Sequence, residues 1–412
     1  MSYQTVTLSN GLRVIQLASA SPVVYLGYAV GAGTRDELPG EEGLAHFCEH
    51  VAFKGTKHRR AWQILNCLEA VGGDLNAFTN KEETVFHAAI LRDHVARAVD
   101  LLSDIVFHST CPQAEIDKEV EVVCDEIVSY EDSPAELIYD EFENRLFRGH
   151  PLGHNILGTA AQVRSYSSAD ALRFMSRYYR PDNAVFFLYG DVPMERLVHL
   201  LEKATAGVAP GGAVARPEAS PGWNLALTGQ ESLTVDRRSF HQNHVMIGAR
   251  AYSVHDERRT SLYLLNNLLG GPGMNARLNL SLRERHGLVY NVESYFVSYG
   301  DTGLWAVYFG CDARDRARCC RLVRRELDRL VDKPLTERQL QAAKRQLKGQ
   351  IGVACDNREN FAIAFAKSFL HSGHGRDIAA LFRRIDAVTA DSVHRAACEI
   401  MSADRLTTLV FS

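Results

Sequence analysis

The pentapeptide "HFCEH", residues 46–50, sets two histidines four positions apart with a glutamate directly before the second. On a helix, positions i, i+3 and i+4 share one face, so His46, Glu49 and His50 project together. Two imidazoles one turn apart suit Zn²⁺, and the glutamate beside them can serve as base for a bound water. The order H-x-x-E-H inverts the H-E-x-x-H arrangement. The competing reading is an amphipathic helix with solvated histidines. Zinc held by two histidines wants one more protein ligand and an open position. The stretch "EIDKEVEVVCDEIVSYED" (115–132) is helical in pattern and dense in carboxylates, and its Glu119 and Glu126 lie seven apart, two turns up one face. One can ligate while the other orients a histidine or the ligand; spacing does not assign the two roles.

These residues need elements to hold them. "TVTLS" and "LRVIQLA" flank Asn10-Gly11, a type I′ hairpin signal, and "VVYLGYAVGAG" (23–33) is a near-continuous apolar strand. "EEGLAHFCEHVAF" (41–53) has helical periodicity, with Leu44, Phe47 and Val51 on one side, and "AWQILNCLEAV" predicts a second helix. "GGDLNAFT" and "ETVFHAAIL" read as paired strands around Asn80-Lys81-Glu82. Helices are expected at 92–108, 112–131, 134–147 and 168–180, and a strand at "NAVFFLYG" (183–190).

The pattern then repeats. "HVMIGARAYSVHDE" (244–257) echoes "VYLGYAVGAGTRDE" (24–37) at an offset of 220, and "RLTTLVFS" (405–412) matches "NAVFFLYG" at about 222. Between them the sequence predicts two helices, the strands "GLVYNVESYFVSYG" and "TGLWAVYFG", and a helical tract. The Ala/Gly/Pro-rich stretch 204–222 reads as a linker, so the expected organisation is a half at 1–203 with the metal motif and a homologous half at 223–412. The expected fold class is α+β, each half a mainly antiparallel sheet with helices packed on one side. The offset carries His46–His50 onto Asn266–Gly270, where no histidine or glutamate stands, so the chemistry belongs to the first half.

Composition excludes other classes. A net charge of −4 offers no basic excess for nucleic acid or an anionic membrane. No apolar run is long enough to span a bilayer, and the first residues lack the features of a secretory signal. Nine scattered cysteines without a C-x-x-C pair read as reduced thiols of a cytoplasmic protein. His150 and His154 are also four apart, but Pro151 and Gly153 argue against a helix between them. "HQNH" (241–244) lacks a nearby acid pair, Cys48 falls off the His/Glu face, Cys319-Cys320 has no ligand spacing, and "GGPGM" (270–274) reads as a turn between helices.

"GLAHFCEHVAFKGT", a glutamate 76 positions after His50, "HPLGHNILGT" and "YYRPDNAVFFLYGDV" together resemble the inverzincin metallopeptidases. This is the family of pitrilysin, insulin-degrading enzyme and the mitochondrial processing peptidase β-subunit. The resemblance covers nearly the whole chain, in a short two-half form. It implies that His46, His50 and Glu126 ligate one Zn²⁺ per chain, that Glu49 is the general base and that Glu119 is the supporting carboxylate. It also implies that peptide substrate adds as a strand at "LNAFT", through Asn76, Ala77 and Phe78. In "LRERHGLVY", Arg283 and Tyr290 resemble the family's Arg/Tyr element, expected to bond the scissile carbonyl or its oxyanion. Long members carry four such half-units around a closed chamber. Two halves here imply paired chains: a homodimer, since one chain holds both elements, or a heterodimer with a related subunit. The expected activity is zinc-dependent endopeptidase cleavage of peptides or unfolded segments. The alternative is a non-catalytic or heterodimeric partner subunit of a processing-peptidase-like complex.

Overall fold

The computed structural model describes residues 3–212, 217, 232–236 and 240–412. In chain order the strands are β1 (Tyr3–Thr7), β2 (Arg13–Leu17), β3 (Val23–Val30), β4 (Asp74–Thr79), β5 (Thr84–Leu91), β6 (Ala184–Tyr189), β7 (Ser232–Asp236), β8 (Asn243–Ala251), β9 (Val289–Ser298), β10 (Gly303–Cys311) and β11 (Thr407–Phe411). The helices are α1 (Leu44–Ala52), α2 (Ala61–Glu69), α3 (Val95–His108), α4 (Gln113–Glu131), α5 (Pro134–Leu146), α6 (Ala160–Val163), α7 (Ser168–Tyr178), α8 (Met194–Ala204), α9 (Arg259–Gly270), α10 (Arg316–Asp332), α11 (Glu337–Ala354), α12 (Arg358–Ser372), α13 (Ile378–Ala387) and α14 (Ala390–Met401). Residues 213–216 and 218–222 of the linker read at 204–222 lie outside the described residues.

Two sheets form, ordered β1-β2-β6-β3-β5-β4 and β7-β11-β8-β10-β9. Both are mixed: β2–β6 and β7–β11 are parallel, and the remaining pairs are antiparallel. In the second half, the helix expected after α9 is reduced to a π-helical turn, Asn279–Glu284. The Asn10-Gly11 hairpin is not the two-residue type I′ form. Thr7 pairs with Arg13, and Gly11 alone takes the left-handed conformation (φ 86°). Asn10 instead caps locally, its Oδ1 accepting from Leu12 N–H and its Nδ2 donating to Thr205 Oγ1.

Two compact units result, and neither is a continuous stretch of chain. The first takes Met1–Ser129, His154–Ala219 and Ala354–Asp377; the second takes Tyr130–Gly153, Ser220–Val353 and Ile378–Ser412. The two units exchange one helix each: α5 belongs with the second sheet and α12 with the first. The two helices start about 224 positions apart, close to the repeat offset.

The exchange follows from side-chain alternation, which gives every strand two faces to bury. In the first unit Val14, Leu26, Tyr28, Phe86 and Phe186 join α1, α3 and α7 in one core, with Tyr28 Oη on Ser103 Oγ at 2.7 Å. The residues between them point the other way and meet α12: Tyr189 lies 5.9 Å from Phe361, and Arg13 stacks on Phe369. In the second unit Met246, Leu304, Ala306 and Phe411 pack against Leu137, Ile138 and Phe142 of α5. Trp305, on the opposite face, bonds Asn266 of α9 at 3.0 Å. The one-sided helix layer expected from the sequence is thus supplemented on the second face by a helix from the other half.

Polar contacts fix α12 in place. Glu83, buried just before β5 in the β4–β5 hairpin, accepts from Lys367 Nζ at 2.7 Å and His371 Nε2 at 2.8 Å. Burial alone would raise this carboxyl, but His371 and Lys367 overrule it and hold it at about 2. A carboxyl depressed in the folded state stabilises fully above its unfolded pKa, and the contribution disappears as pH falls from about 4.5 toward 2. We expect Glu83→Gln to cost on the order of 3 kcal/mol at neutral pH and to flatten the loss of stability below about pH 4.5. Thermal melts of both proteins between pH 7 and pH 3 check this; parallel curves contradict it.

Candidate metal centre

Helix α1 is buried along nearly its whole length, and only His50 is half-exposed. A helix so enclosed needs its first N–H groups satisfied from within. Glu37 does this: its carboxylate accepts from Gly43 N–H at 3.0 Å and Ala45 N–H at 2.7 Å, and from His154 Nε2 at 2.8 Å. Gly43 turns the chain into the helix at φ 92°, and a Cβ there would lie 2.6 Å from Leu157 O. Burial raises Glu37 to about 7 against the pull of His154 and the helix N–H groups. His150 and His154 lie in a loop rather than a helix, and His154 serves as a strut for α1.

From this fixed helix His46, Glu49 and His50 face α4 and the end of β4. His46 Nε2 lies 3.8 Å from Glu126 Oε1, and His50 Nε2 lies 3.4 Å from Glu126 Oε2. His46, His50 and Glu126 offer donor atoms all within 4.8 Å of one another. Donors about 2.0–2.2 Å from a tetrahedral centre stand roughly 3.3–3.6 Å apart, so this set is close to what a zinc ion needs. The seven-residue spacing on α4 divides the two carboxylates. Glu126 faces the Nε2 atoms of both histidines, whereas Glu119 bonds His50 Nδ1 at 2.9 Å. The other Glu119 oxygen takes Lys54 Nζ at 2.6 Å. A carboxylate on the far ring nitrogen sets the tautomer that leaves Nε2 free to donate electrons.

Glu49 lies beside the cluster, and Thr79, the last residue of β4, donates its hydroxyl to Glu49 Oε2 at 2.7 Å. Burial raises Glu49 above the ordinary carboxylate range, partly offset by the Thr79 bond. Burial and the neighbouring His50 lower His46 to about 4, so it is neutral at pH 7. His50 goes the other way: burial disfavours its charge, but hydrogen bonds to Glu119 and Glu126 raise it to about 9. The His50 bond is the main cause that lowers Glu126.

Among the described residues β4 is the edge of the first sheet and pairs with β5 alone. Asn80 N–H donates to Glu83 O at 2.8 Å, so alternation turns the backbone groups of Phe78 and Asn76 toward β5 and those of Ala77 and Leu75 outward. Asn76 is exposed, and its Oδ1 caps the outward Ala77 N–H at 2.8 Å. Arg283 and Tyr290 belong to the second unit. The Arg283 guanidinium lies 5.9 Å from the Tyr290 ring, Tyr290 is 90% exposed, and Arg283 Nε is 3.7 Å from Glu284.

Sequence reasoning missed Thr79, Lys54 and Glu37. Lys54 carried a signal, since it continues the i, i+4 row of His46 and His50. Thr79 and Glu37 carried none, because only the fold brings them to α1. The second half uses the equivalent place for structure: Asn266, the counterpart of His46, holds the Trp305 indole.

Residues 13–160 match the family described as insulinase (peptidase family M16), and residues 165–347 match the peptidase M16 inactive domain. The chain belongs to the M16 peptidase family. It is 31% identical over 406 residues to an uncharacterized zinc protease of Bacillus subtilis, covering 98% of this chain and 97% of that one. It is 33% identical over 398 residues to an uncharacterized zinc protease of Mycobacterium leprae, covering 96% and 88%. The structure of a protease from Helicobacter pylori superposes with a TM-score of 0.91 at 21% identity, over 100% of this chain and 99% of that one, which establishes the shared fold.

Two outcomes follow from the His50 environment. A proton held up to about pH 9 must leave before Nε2 can ligate, so zinc binding at pH 7 is expected to release about one proton and to weaken as pH falls. Calorimetry in buffers of different ionisation enthalpy measures this; a proton count of zero contradicts it. Glu119→Gln is expected to weaken zinc binding by roughly 10- to 100-fold in a chelator competition, through loss of the Nδ1 partner.

Proposed function

We propose that the chain is a zinc-dependent endopeptidase acting on peptides and unfolded segments, and that it works as a dimer. The observation that supports this best is the meeting of His46 Nε2, His50 Nε2 and Glu126 beside a buried carboxylate that is not needed as a ligand, Glu49.

Zinc in this donor set would supply Lewis acidity, lowering the pKa of a water in its open position toward about 7 and polarising the scissile carbonyl. Glu49 takes a proton from the attacking water and returns it to the leaving amine. Burial raises its pKa, which makes it a better proton acceptor than an ordinary carboxylate. Thr79 holds one Glu49 oxygen and leaves the other for the water. Glu119 and Lys54 keep the His50 ring in its donor orientation.

Substrate is held as a strand added to β4. Ala77 offers the outward backbone groups, after Asn76 swings away from the Ala77 N–H and becomes free to bond the peptide itself. Backbone pairing accepts any extended peptide but no folded segment, which accounts for a preference for unfolded chains. Phe78 shapes the strand's neighbourhood with His87, their rings 6.0 Å apart. Arg283 and Tyr290, both accessible, bond the scissile carbonyl and its oxyanion from the same chain or from a partner copy.

The test uses the purified chain with zinc content measured and a quenched peptide library as substrate. Glu49→Gln is expected to retain stoichiometric zinc while turnover falls by roughly 10²–10⁴-fold, and chelation followed by zinc addition is expected to abolish and restore wild-type activity. Equal turnover in wild type and Glu49→Gln removes the base from the mechanism. A zinc-loaded but inactive wild type points to the heterodimeric reading, in which a related subunit completes the site.

A further inference from the structure

The hydroxyl that holds Glu49 is the end of a longer polar line. Thr79 faces Thr84 directly across the β4–β5 hairpin, and their Oγ1 atoms lie 3.4 Å apart. Thr84 is fully buried at the start of β5, and its hydroxyl also lies 3.0 Å from Ala32 O, just past β3. Beyond Thr84 comes Tyr179, which follows α7. Its ring packs against Phe86 and Phe174, with 5.9 Å and 6.4 Å between centroids. Its hydroxyl is buried beside Thr84 and completes no hydrogen bond of normal geometry among the described residues. Burial, with Cys48 and Glu49 nearby, holds the phenol proton well above the usual range, so this group donates and does not ionise.

A cross-strand threonine pair and a core tyrosine have a plain structural explanation, since such pairs stabilise hairpins and tyrosine rings fill cores. That explanation covers the ring and the methyl groups but not the oxygens. Valine suits a buried strand as well as threonine does, and phenylalanine would fill the place of the Tyr179 ring. Hydroxyls in a desolvated place are costly unless each finds a partner, and the Tyr179 hydroxyl has found none of normal geometry. The three hydroxyls run in one direction, toward Glu49 Oε2.

We propose that Thr84 and Tyr179 are positioning residues for the base, acting on Glu49 through Thr79. The proposal deepens the reading of Glu49 as general base and rests on it. Thr79 gives its single hydrogen to Glu49, so its oxygen is left to accept one, and Thr84 is the donor that faces it. Thr84 has one hydrogen and two acceptors in reach, Ala32 O and Thr79 Oγ1. A hydrogen from Tyr179 keeps the Thr84 oxygen bonded while the Thr84 hydrogen turns from Ala32 O to Thr79. A hydroxyl that accepts a hydrogen bond donates a stronger one, so each link tightens the bond from Thr79 to Glu49. The carboxylate is thereby held in one orientation, with its second oxygen left for the attacking water.

The test uses the full chain, with zinc affinity measured and with kcat and KM taken on a quenched peptide. Thr84→Val is expected to lower kcat about five- to tenfold while KM and zinc affinity stay within about twofold of wild type, because only the base is disturbed. Thr84→Ser keeps the hydroxyl and is expected to recover most of the loss. Tyr179→Phe is expected to lower kcat severalfold and, combined with Thr84→Val, to add nothing beyond Thr84→Val alone. Crystals of Thr84→Val and Tyr179→Phe give a readout independent of turnover: the Thr79 hydroxyl is expected to leave Glu49 Oε2, or the carboxylate to occupy two positions. Unchanged kcat in Thr84→Val or in Tyr179→Phe, a Thr84→Ser variant as slow as Thr84→Val, additive losses in the double variant, or an unchanged contact between Thr79 and Glu49 in the crystals overturns the proposal. Wild-type turnover in Glu49→Gln removes the base and this proposal with it. An impaired Glu49→Gln beside an unimpaired Thr84→Val removes the hydroxyl chain alone.

Discussion

The constraint on which the first unit depends is charge neutrality at the metal cluster, where His46, Glu49 and Glu119 are buried and Glu126 reaches the surface. Glu49, Glu119 and Glu126 bring three negative charges to two imidazoles, and Lys54 returns one positive charge. With both imidazoles neutral, two negative charges are left over, the complement of a divalent cation. Without the cation the arrangement closes only partly, by keeping a proton on His50 between two carboxylates. Buried charges are tolerated when each has a partner, and here the partners come from α1, α4 and β4. The surrounding fold can be read as the means of holding those three elements together.

That holding is indirect. Glu37 fixes the start of α1, and His154, more than a hundred residues later, fixes Glu37. Thr79 ends the edge strand where it reaches the base, so the element proposed to align substrate also orients the group proposed to deprotonate water. A shift of β4 would move both together. This coupling gives a physical reason for the proposed peptide-binding edge to lie directly beside α1 rather than on the far side of the sheet.

The exchange of α5 and α12 is the second organising fact. Each sheet has two apolar faces, and each half of the sequence supplies enough helices for one of them plus a helix for the other unit. Glu83, with Lys367 and His371, anchors one exchanged helix next to the hairpin that contains Thr79. The last third of the chain therefore contributes to the unit that contains the metal cluster.

The division between sequence and tertiary structure follows the range of the forces involved. The local periodicity of "HFCEH" was enough to put His46, Glu49 and His50 on one helical face, and a seven-residue interval was enough to align Glu119 with Glu126, because helix geometry is fixed by neighbours. Short apolar runs likewise made β3, β5 and β6 legible, and the 220-residue echo revealed two similar halves. Other features have no local signature. Which nitrogen each glutamate meets, the Thr79 hydroxyl on Glu49 across 30 residues, the capping of α1 by Glu37, and the exchange of two helices all join segments distant in the chain. Even the Asn10-Gly11 turn is not of the expected type, and its Asn10 bonds Thr205, 195 residues away. The sequence by itself determined which groups were available and which faces they shared. Only packing, which closes long loops at a cost in chain entropy and repays it through burial, decided which of them touch.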